Sequence, residues 1–380
     1  MALGPLPDYP WDRLVPVRER AAAHPDGAVD LTIGSPVDPT PPTIRAALAA
    51  ATDAHGYPST AGSADARRAI VDWFARRRGV PGLDLDEALV TVGSKEFVAS
   101  CAFFLGLGEG DVVVQPSVAY PTYEMGALFA GADLVSADDP ADWPESTRLV
   151  WLNSPGNPDG RVRDVDSLRA AVARARELGA VIVDDECYAE LGWDEWADRP
   201  IPSLLDPAVV GDDRTGVLVT SSLSKRSNLA GYRAAYVAGD RALIMRLLTA
   251  RKHAGLMTPA PVQHALAVAL AADDEAAEQR ERYRRRRELL KPALEAWGLR
   301  IDGSEAGLYL WGTTGDDCWT TLDALADLGI IAGPGEFYGD AGRRHVRVSL
   351  TALDADVERA AARLRAAASG PEGPTAASEL

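Results

Sequence analysis

Residues 221–233 have the sequence SSLSKRSNLAGYR and lie between apolar runs at 217–220 and 234–238. This arrangement predicts a loop between two buried strands. A lysine kept partly out of water at a strand end has a lowered pKa and can attack a carbonyl carbon, a role available to Lys225. Hydroxyls and an arginine in the same loop are donors that bind phosphate. The stretch therefore predicts a Schiff-base lysine beside a phosphate anchor, as pyridoxal 5′-phosphate (PLP) requires.

The alternative interpretation of Lys225 is an ordinary solvated lysine, since most lysines lie on protein surfaces. Lysine is scarce in this chain, however: Lys95, Lys225, Lys252 and Lys291 are the four among 39 basic residues. Each retained lysine is therefore more informative than usual, and the rest of the chain decides between the two interpretations.

Length and charge narrow the class of protein. At 380 residues the chain exceeds one typical core, which predicts two domains. The net charge of −17 argues against a nucleic-acid partner and against anionic membrane surfaces, but not against small anionic substrates. The three cysteines have no metal-ligand spacing, so we expect reduced thiols in a cytoplasmic protein. We expect neither a signal peptide nor a membrane span.

From residue 88 onward, apolar β-branched runs alternate with helical patterns. Most runs lack polar alternation, which predicts an α/β fold whose seven-stranded, mostly parallel sheet is flanked by helices. Ligands on such sheets bind at the carboxyl ends of the strands. The seven runs are at 89–92, 112–115, 133–136, 148–152, 180–183, 216–220 and 234–238.

A smaller α/β domain is predicted beyond residue 297, where short strands at 307–311 and 345–350 alternate with helices. We place the large domain at 43–275. The small domain takes 1–42 and 276–368, and 369–380 is predicted to be a flexible tail.

Two loops that follow predicted strands carry candidate binding groups. Residues 93–96, GSKE, open a helix, whose free amides with the Ser94 hydroxyl would bind an anion; a plain helix cap is the alternative. Residues 153–158, NSPGNP, form a loop fixed by two prolines that can aim Asn157 as a hydrogen-bond donor; an ordinary turn is the alternative.

Charged groups at two other strands complete the set. A buried strand ends in three acidic residues, Asp184, Asp185 and Glu186. A carboxylate at this position could keep a pyridine nitrogen protonated, and Tyr188 could reach the ring's phenolic oxygen. The alternatives are a metal site or solvation of the strand end. Arg347 lies between apolar neighbours and is predicted to clamp a substrate α-carboxylate, with an internal salt bridge as the alternative.

In order and spacing, these motifs resemble the class I and II aminotransferases of PLP fold type I over nearly the whole chain. The resemblance implies that fold, PLP as cofactor, and amino-acid and keto-acid substrates. The matching motifs are Gly34, Gly93-Ser94-Lys95-Glu96, Tyr120-Pro121-x-Tyr123, Asn153-x-Pro155-x-Asn157-Pro158, Asp185-Glu186-x-Tyr188, Ser222-x-Ser224-Lys225, Arg233 and Arg347.

The resemblance also implies a role for each residue. Lys225 forms the Schiff base and moves the proton, Asp185 pairs with the pyridine nitrogen, and Tyr120 stacks on the ring. Asn157 and Tyr188 bond the 3′-oxygen. The implied phosphate ligands are Ser94, the amide of Lys95, Ser222, Ser224 and Arg233.

Substrate and subunit contacts follow from the same resemblance. It implies that Arg347, Asn157 and the Gly34 backbone bind the α-carboxylate. A tyrosine near the position of Tyr57 reaches the phosphate of the partner subunit, which implies a homodimer with shared active sites.

Three segments, LPDYPWD at 6–12, SKRSNLAGYR at 224–233 and GPGEFYG at 333–339, resemble more narrowly the actinobacterial N-succinyldiaminopimelate aminotransferases. That resemblance implies amino transfer from glutamate to N-succinyl-2-amino-6-oxopimelate in the diaminopimelate branch of lysine biosynthesis. The alternatives are an aspartate or aromatic aminotransferase, or a cysteine-conjugate β-lyase.

Other classes fit less well. A PLP-binding regulator without catalysis is disfavoured because such a protein usually carries an attached DNA-binding domain and because the catalytic set here is intact. A NAD-dependent dehydrogenase is disfavoured because no Gly-x-Gly-x-x-Gly follows the first strand of the sheet. The basic run at 282–287 is predicted to be a solvated helix face.

A succinylated substrate carries extra carboxylates, which need further cations. The candidates are Arg18, Arg226, Lys252 and His253, each equally explained by surface salt bridges.

Overall fold

The computed structural model describes residues 10–369, and every structural statement refers to that part of the chain. Predictions for 1–9 and 370–380, including most of the tail, lie outside the described residues. The α-helices are α1 (Val15–Ala22), α2 (Pro42–Ala50), α3 (Ala64–Arg77), α4 (Ser94–Phe104), α5 (Thr122–Ala130), α6 (Val165–Leu178), α7 (Pro207–Val210), α8 (Leu223–Arg226), α9 (Arg241–Ala254), α10 (Ala260–Ala271), α11 (Asp273–Trp297), α12 (Cys318–Asp327) and α13 (Asp354–Ala368).

The strands fall into three sheets of seven, four and two strands. They are β1 (Val29–Asp30), β2 (Ala88–Val92), β3 (Val112–Gln115), β4 (Asp133–Ser136), β5 (Thr147–Leu152), β6 (Val181–Asp185), β7 (Val217–Ser222), β8 (Ala234–Gly239), β9 (Arg300–Ile301), β10 (Tyr309–Thr313), β11 (Ile330–Ile331), β12 (Gly333–Pro334) and β13 (Val346–Ser349).

The large sheet has the order β2-β8-β7-β6-β5-β3-β4, and β8 runs antiparallel to both of its neighbours. The other neighbouring pairs are parallel. Each of the seven predicted runs overlaps a strand, with boundaries within two residues. Six of these strands are mostly buried, as apolar strands covered on both faces should be, whereas the edge strand β4 is exposed at both of its ends. The predicted α/β fold is confirmed.

Helix α6 shows how the crossovers are set by local sequence. The Asp164 carboxylate caps its first turn by accepting a hydrogen bond from the Ser167 amide at 2.8 Å. Gly179 ends the helix with φ of +63°, a conformation that costs glycine little. The chain then enters β6 directly, which brings the acidic end of β6 beside the loop that follows β5.

A second core forms around an antiparallel sheet of order β12-β13-β10-β9. It joins Leu14, Val17 and Leu31 from the beginning of the chain to apolar residues of α11, α12 and α13. β1 pairs in parallel with β11, which ties the N-terminal segment to this core. The division into two domains near residues 43 and 275 stays a prediction.

One local prediction needs correction. The stretch 221–233 is not all loop, since Ser221 and Ser222 end β7 and the next four residues form α8. In the N-terminal segment, strand β1 pairs only at Val29 and Asp30. The extended residues after Asp30 instead run along the cleft between the two cores, where the Leu31 carbonyl accepts a hydrogen bond from the Ser349 amide at 2.8 Å.

The basic run at 282–287 is not simply a solvated face. Arg286 and Arg287 are buried, and each is paired with carboxylates. Arg286 binds Asp38 at 2.6 Å and Asp354 at 2.7 Å. Arg287 donates to Asp194 at 3.2 Å. The prediction was wrong for these two positions because α11 packs against loops whose acidic residues are distant in sequence.

Within residues 10–369, no helix combines the length and the apolar composition that crossing a bilayer requires.

Candidate active site

Lys225 lies in α8, directly after β7, at the carboxyl edge of the large sheet. Its amine donates a hydrogen bond to the Gly34 carbonyl. Part of the side chain is accessible, but protein atoms surround the amine, and this burial lowers the pKa of Lys225, with Arg347 and Arg233 also lowering it. In the described part of the chain no carboxylate forms an ion pair with Lys225, so the amine is held by a neutral partner.

Asp185 ends β6, the strand beside β7. Its carboxylate accepts hydrogen bonds from the Cys187 amide at 3.2 Å and from the Tyr123 hydroxyl at 3.3 Å. Burial raises the pKa of Asp185, and these hydrogen bonds oppose the rise. A cation placed against this carboxylate would favour its ionised form, which is what a protonated pyridine nitrogen would do.

Hydroxyls, amides and a guanidinium meet where β2, β8 and β7 lie side by side. Gly93 follows β2, and its amide donates to the Arg233 carbonyl at 2.9 Å. Gly93 has φ of +77°, and a Cβ there would clash with the Arg233 guanidinium, so glycine allows the close approach. Ser222 Oγ lies 2.7 Å from Ser224 Oγ. The Ser94 hydroxyl sits at the start of α4, where first-turn amides have no partner within the helix.

Arg233 is exposed and has no counter-ion among the described residues. It adopts φ of +57°, and its Nη1 donates to the Ala230 carbonyl at 2.7 Å. With the Ser94, Ser222 and Ser224 hydroxyls, it forms a donor set suited to a dianion.

Asn157 and Arg347, which come from a loop and a strand far apart in the sequence, are in direct contact. Arg347 Nη1 donates to Asn157 Oδ1 at 2.8 Å, and Nη2 donates to the Thr32 carbonyl at 2.7 Å. Arg347 Nε is buried without a hydrogen-bond partner. No carboxylate within residues 10–369 pairs with Arg347, so the internal salt bridge considered from sequence is absent there.

Aromatic rings surround the Arg347 guanidinium in place of carboxylates. Its carbon lies 3.9 Å from the ring centroid of Tyr309, 4.8 Å from that of Tyr338 and 5.8 Å from that of Trp11. Tyr309 also places its hydroxyl 3.3 Å from that of Tyr188. The cation is therefore held by ring faces, which leaves its positive charge uncompensated.

Tyr120 and Tyr57 differ in exposure. Burial raises the pKa of Tyr120 to about 12, and its ring packs edge-on against Tyr123 at 5.8 Å. The Lys95 amine lies 6.0 Å from the Tyr120 ring centroid. Tyr57, in contrast, is 97% exposed and lies apart from the buried cluster of its own chain. Its predicted contact with a partner subunit stays a prediction.

Comparison with known proteins decides the family, because the model for aminotransferase class I and II matches residues 26–364. The chain belongs to this family. It is 52% identical over 360 residues to the 4-dedimethylamino-4-oxo-anhydrotetracycline transaminase OxyQ of Streptomyces rimosus, covering 94% of this chain and 99% of that protein. It is 50% identical over 360 residues to a probable aminotransferase of Mycobacterium tuberculosis, covering 94% and 85%.

A solved structure is similar over the same length. The probable N-succinyldiaminopimelate aminotransferase from Thermus thermophilus matches with a TM-score of 0.84 and 28% identity, covering 94% of this chain and 99% of that one. Class I and II aminotransferases use PLP. The residues of this chain fit that cofactor: Gly93 leaves room for the Arg233 guanidinium at the start of α4, and the buried Asp185 ends the strand beside the one that leads to Lys225.

Sequence reasoning missed several residues of this aminotransferase site. Tyr309 contacts Tyr188 and Arg347, and a Cβ at Gly34 would clash with its hydroxyl. Asn153 Oδ1 accepts from the Asn157 amide at 2.8 Å. The alternation of the strand at 307–311 could have placed Tyr309 on one face with Trp311, but nothing in the sequence shows which face meets Arg347.

One candidate cation is excluded from the site. Arg226 is buried and paired with Glu190 and with Asp273, the latter at 3.1 Å, so it is already neutralised. Arg18 pairs with Asp30 at 2.6 Å. The metal alternative for the acidic end of β6 finds no support, since no cluster of three or more potential ligands occurs in the described chain.

Proposed function

We propose that this aminotransferase moves an amino group between glutamate and N-succinyl-2-amino-6-oxopimelate, through PLP bound covalently to Lys225. The observation that carries the proposal is that two buried basic groups lack a carboxylate partner in the described structure: the Lys225 amine donates to the Gly34 carbonyl, and the Arg347 guanidinium donates to Asn157. An anionic amino acid supplies the charge that both lack.

The proposed cofactor ligands are the residues already brought together. Ser94, Ser222, Ser224 and Arg233, with the Lys95 amide, would hold the phosphate, and Tyr120 would lie against the ring. Asn157 and Tyr188 would donate to the ring oxygen. When bound, the cofactor accepts the electron pair left by removal of the substrate's Cα proton.

Asp185 and Lys225 have complementary proposed roles in proton transfer. The Asp185 carboxylate would favour the protonated form of a pyridine nitrogen placed against it, because an ion pair in a buried site favours the charged forms. Burial lowers the pKa of the Lys225 amine, which favours its neutral form and suits it to act as a base. In this role the Lys225 amine would accept the proton from the substrate Cα.

Arg347 would bind the substrate α-carboxylate with Asn157. Arg347 Nε has no partner in the described structure and points to a binding capacity that the protein does not use. A carboxylate against the guanidinium would gain charge-assisted hydrogen bonds in a site that largely excludes water.

The succinylated substrate is supported by two segments that marked the subgroup in the sequence. The structure packs them together: the Trp11 and Phe337 ring centroids lie 5.4 Å apart, and Arg13 pairs with Glu336 at 2.5 Å. Lys95, beside Tyr120 and without an ion pair in the described chain, is the cation we propose for the distal carboxylates.

A second candidate acceptor follows from the 52% identity to OxyQ, whose name describes amination of a 4-oxo-anhydrotetracycline. That ketone lies on a large ring system and would use Arg347 only in the half-reaction with the amino donor. The aspartate, aromatic and β-lyase alternatives share the same cofactor chemistry and differ in the side-chain pocket.

The test is a single-turnover half-reaction. Purified, PLP-loaded protein is mixed with N-succinyl-LL-diaminopimelate alone, and the visible absorption band of the cofactor is followed. Loss of the band, reversed by 2-oxoglutarate with formation of glutamate, is the expected result. An unmoved band would contradict the substrate, and a panel of amino donors and of the tetracycline ketone would then identify the acceptor.

A homodimer with shared sites is also proposed. Ile33, 54% exposed, leaves apolar surface next to Gly34 of the site, and Tyr57, 97% exposed, leaves apolar surface apart from that site, where it could reach a second copy. Sedimentation should give twice the mass of the 40.4 kDa chain. Tyr57→Phe should weaken PLP retention in the dimer, and a monomeric, fully active protein would contradict the proposal.

A further inference from the structure

Asp184 is a buried carboxyl group that the proposed reaction does not use. It precedes Asp185 at the end of β6, and successive strand residues point to opposite faces of the sheet. Asp185 therefore faces Tyr123, while Asp184 faces the loop that follows β5. Its exposure is 0%. A fully buried acid needs a structural or functional reason.

The partner of Asp184 is the backbone of Ser154. Asp184 Oδ1 accepts a hydrogen bond from the Ser154 amide at 2.9 Å. Ser154 Oγ in turn accepts from the Arg163 amide at 3.0 Å. Asp184 Oδ2 has no hydrogen-bond partner in the described structure. Ser154 is thus fixed from two sides, and one of them is Asp184.

The fixed loop leads directly to the substrate-binding pair. Asn153 Nδ2 donates to the Asp185 carbonyl at 2.7 Å, and Asn153 Oδ1 accepts from the Asn157 amide at 2.8 Å. Asn157 Oδ1 then accepts from Arg347 at 2.8 Å. A continuous series of hydrogen bonds connects the end of β6 to the Arg347 guanidinium.

We propose that Asp184 is a positioning residue that holds Ser154, and through the same loop Asn157, where Asn157 contacts Arg347. This inference rests on the proposed function, since it gives Asp184 a role in substrate binding through Asn157. Two hydrogen bonds join the loop to β6, one to the Asp185 carbonyl and one to the Asp184 carboxyl. Substituting Asp184 with alanine removes the second bond without changing a residue that binds a ligand.

The charge of Asp184 suits this role. Burial raises the pKa of Asp184 well above its usual range, and the Glu186 carboxylate raises it further, while the Ser154 amide opposes the rise. The direction of this shift favours the protonated carboxyl, and an amide oxygen can accept the same hydrogen bond from Ser154. The titratable and charged groups that influence Asp184, or that it influences, are Asp185, Glu186 with its partner Arg78, Tyr123 and Arg163.

The test compares Asp184→Ala with Asp184→Asn in the PLP-loaded protein. Asp184→Ala should raise KM for glutamate about tenfold and change kcat by less than about threefold, because the lost hydrogen bond positions a binding residue. Asp184→Asn keeps the Oδ1 acceptor and should restore KM to within about twofold. Ser203→Ala, which removes a buried hydrogen bond of 2.8 Å to Glu186 remote from the loop, is the matched control and should leave KM unchanged.

Hydrogen exchange reports on the loop independently of catalysis. Peptides covering 153–158 should exchange faster in Asp184→Ala than in the wild type, Asp184→Asn or Ser203→Ala. Three outcomes would each overturn the proposal. Asp184→Ala could leave exchange and KM unchanged, Asp184→Asn could fail to restore them, or Ser203→Ala could change them equally. If the wild-type protein catalyses no transamination but the variants still show the expected differences in exchange, the proposed function is refuted and the positioning of the loop by Asp184 stands.

Discussion

Two buried arginines of the smaller core have opposite surroundings. Arg286 is 2% exposed and is bound by the carboxylates of Asp38 and Asp354. Arg347 is 4% exposed and is bound by an amide oxygen, a backbone carbonyl and ring faces, with Nε unpaired. Burying a charge without a counter-charge is costly. The difference fits our proposal that Arg347 binds an anionic ligand, whereas Arg286 stabilises the fold.

Lys225 belongs with Arg347 in this comparison, and its removal should have the largest effect. Lys225→Ala should abolish transamination and the visible absorption band of covalently bound PLP, because no other amine lies at that position. Lys291→Ala, on α11 where the lysine pairs with Asp194 at 3.9 Å, is the control and should behave as the wild type. Absorption spectra and turnover of both variants decide the matter; a retained band in Lys225→Ala would refute the assignment.

Arg286→Ala should give the larger loss of stability of the two arginine variants. Removing Arg286 leaves the buried Asp38 side chain with only Gln279 at 2.7 Å and Arg282 at 3.6 Å among the described residues, and should lower the free energy of unfolding by about 3 kcal/mol, the lower end for a broken buried ion pair. Arg347→Ala leaves no carboxylate unpaired in the described structure and should cost less. Urea unfolding of both variants measures this, and equal losses would remove the distinction between them.

Arg347→Ala should instead give the larger loss of substrate affinity. The truncation should weaken binding of amino and keto acids by about 2–5 kcal/mol, since a buried charge pair with the substrate is lost. Steady-state kinetics should show the change mainly in KM. A rise in KM of the same size in Arg286→Ala would show that the effect reflects general disruption of the small domain.

The stabilisation that the Arg286–Asp38 ion pair gives the fold should depend on pH through the protonation of Asp38. Burial favours the neutral acid, but hydrogen bonds from Arg286 and Gln279 outweigh it and lower the pKa of Asp38. Because the folded pKa lies below the unfolded value of about 3.9, the contribution is present above that value and is lost as the pH falls through the folded pKa. The difference in unfolding free energy between wild type and Arg286→Ala should therefore be smaller at about pH 3 than at about pH 6. A constant difference would contradict the pairing.

Trp11→Ala should have the smallest effect. The Trp11 ring contacts both Arg347 and Phe337, so its loss should weaken substrate binding by about 0.5–2 kcal/mol. Trp319→Ala is the matched control, because Trp319 also packs on Phe337 but makes no ring contact with Arg347 in the described structure. Equal rises in KM in the two variants would assign the effect to Phe337 packing.

The sheet and the motif residues could be predicted from sequence because each depends on neighbours along the chain. Apolar runs define strands by themselves, and Ser222, Ser224 and Lys225 share one short segment. The environments of the arginines could not be predicted in this way. Arg286 finds Asp38 at a separation of 248 residues, and a basic run on a helix gives no sign of such a partner.

The same limit explains the missed tyrosine. Tyr309 pairs with Ser349 in register and meets Arg347 only through the packing of two strands. Periodicity places Tyr309 on a strand, but which residues of the facing strand it meets is set by the register.

The measurement we would make first is the binding of L-glutamate to the PLP-loaded wild type, Arg347→Ala and Arg286→Ala in single-turnover half-reactions. We expect Arg347→Ala to bind about 30- to 5,000-fold more weakly, equivalent to the 2–5 kcal/mol above, while folded Arg286→Ala binds as the wild type does. Wild-type affinity in Arg347→Ala would show that the uncompensated arginine is not the carboxylate site.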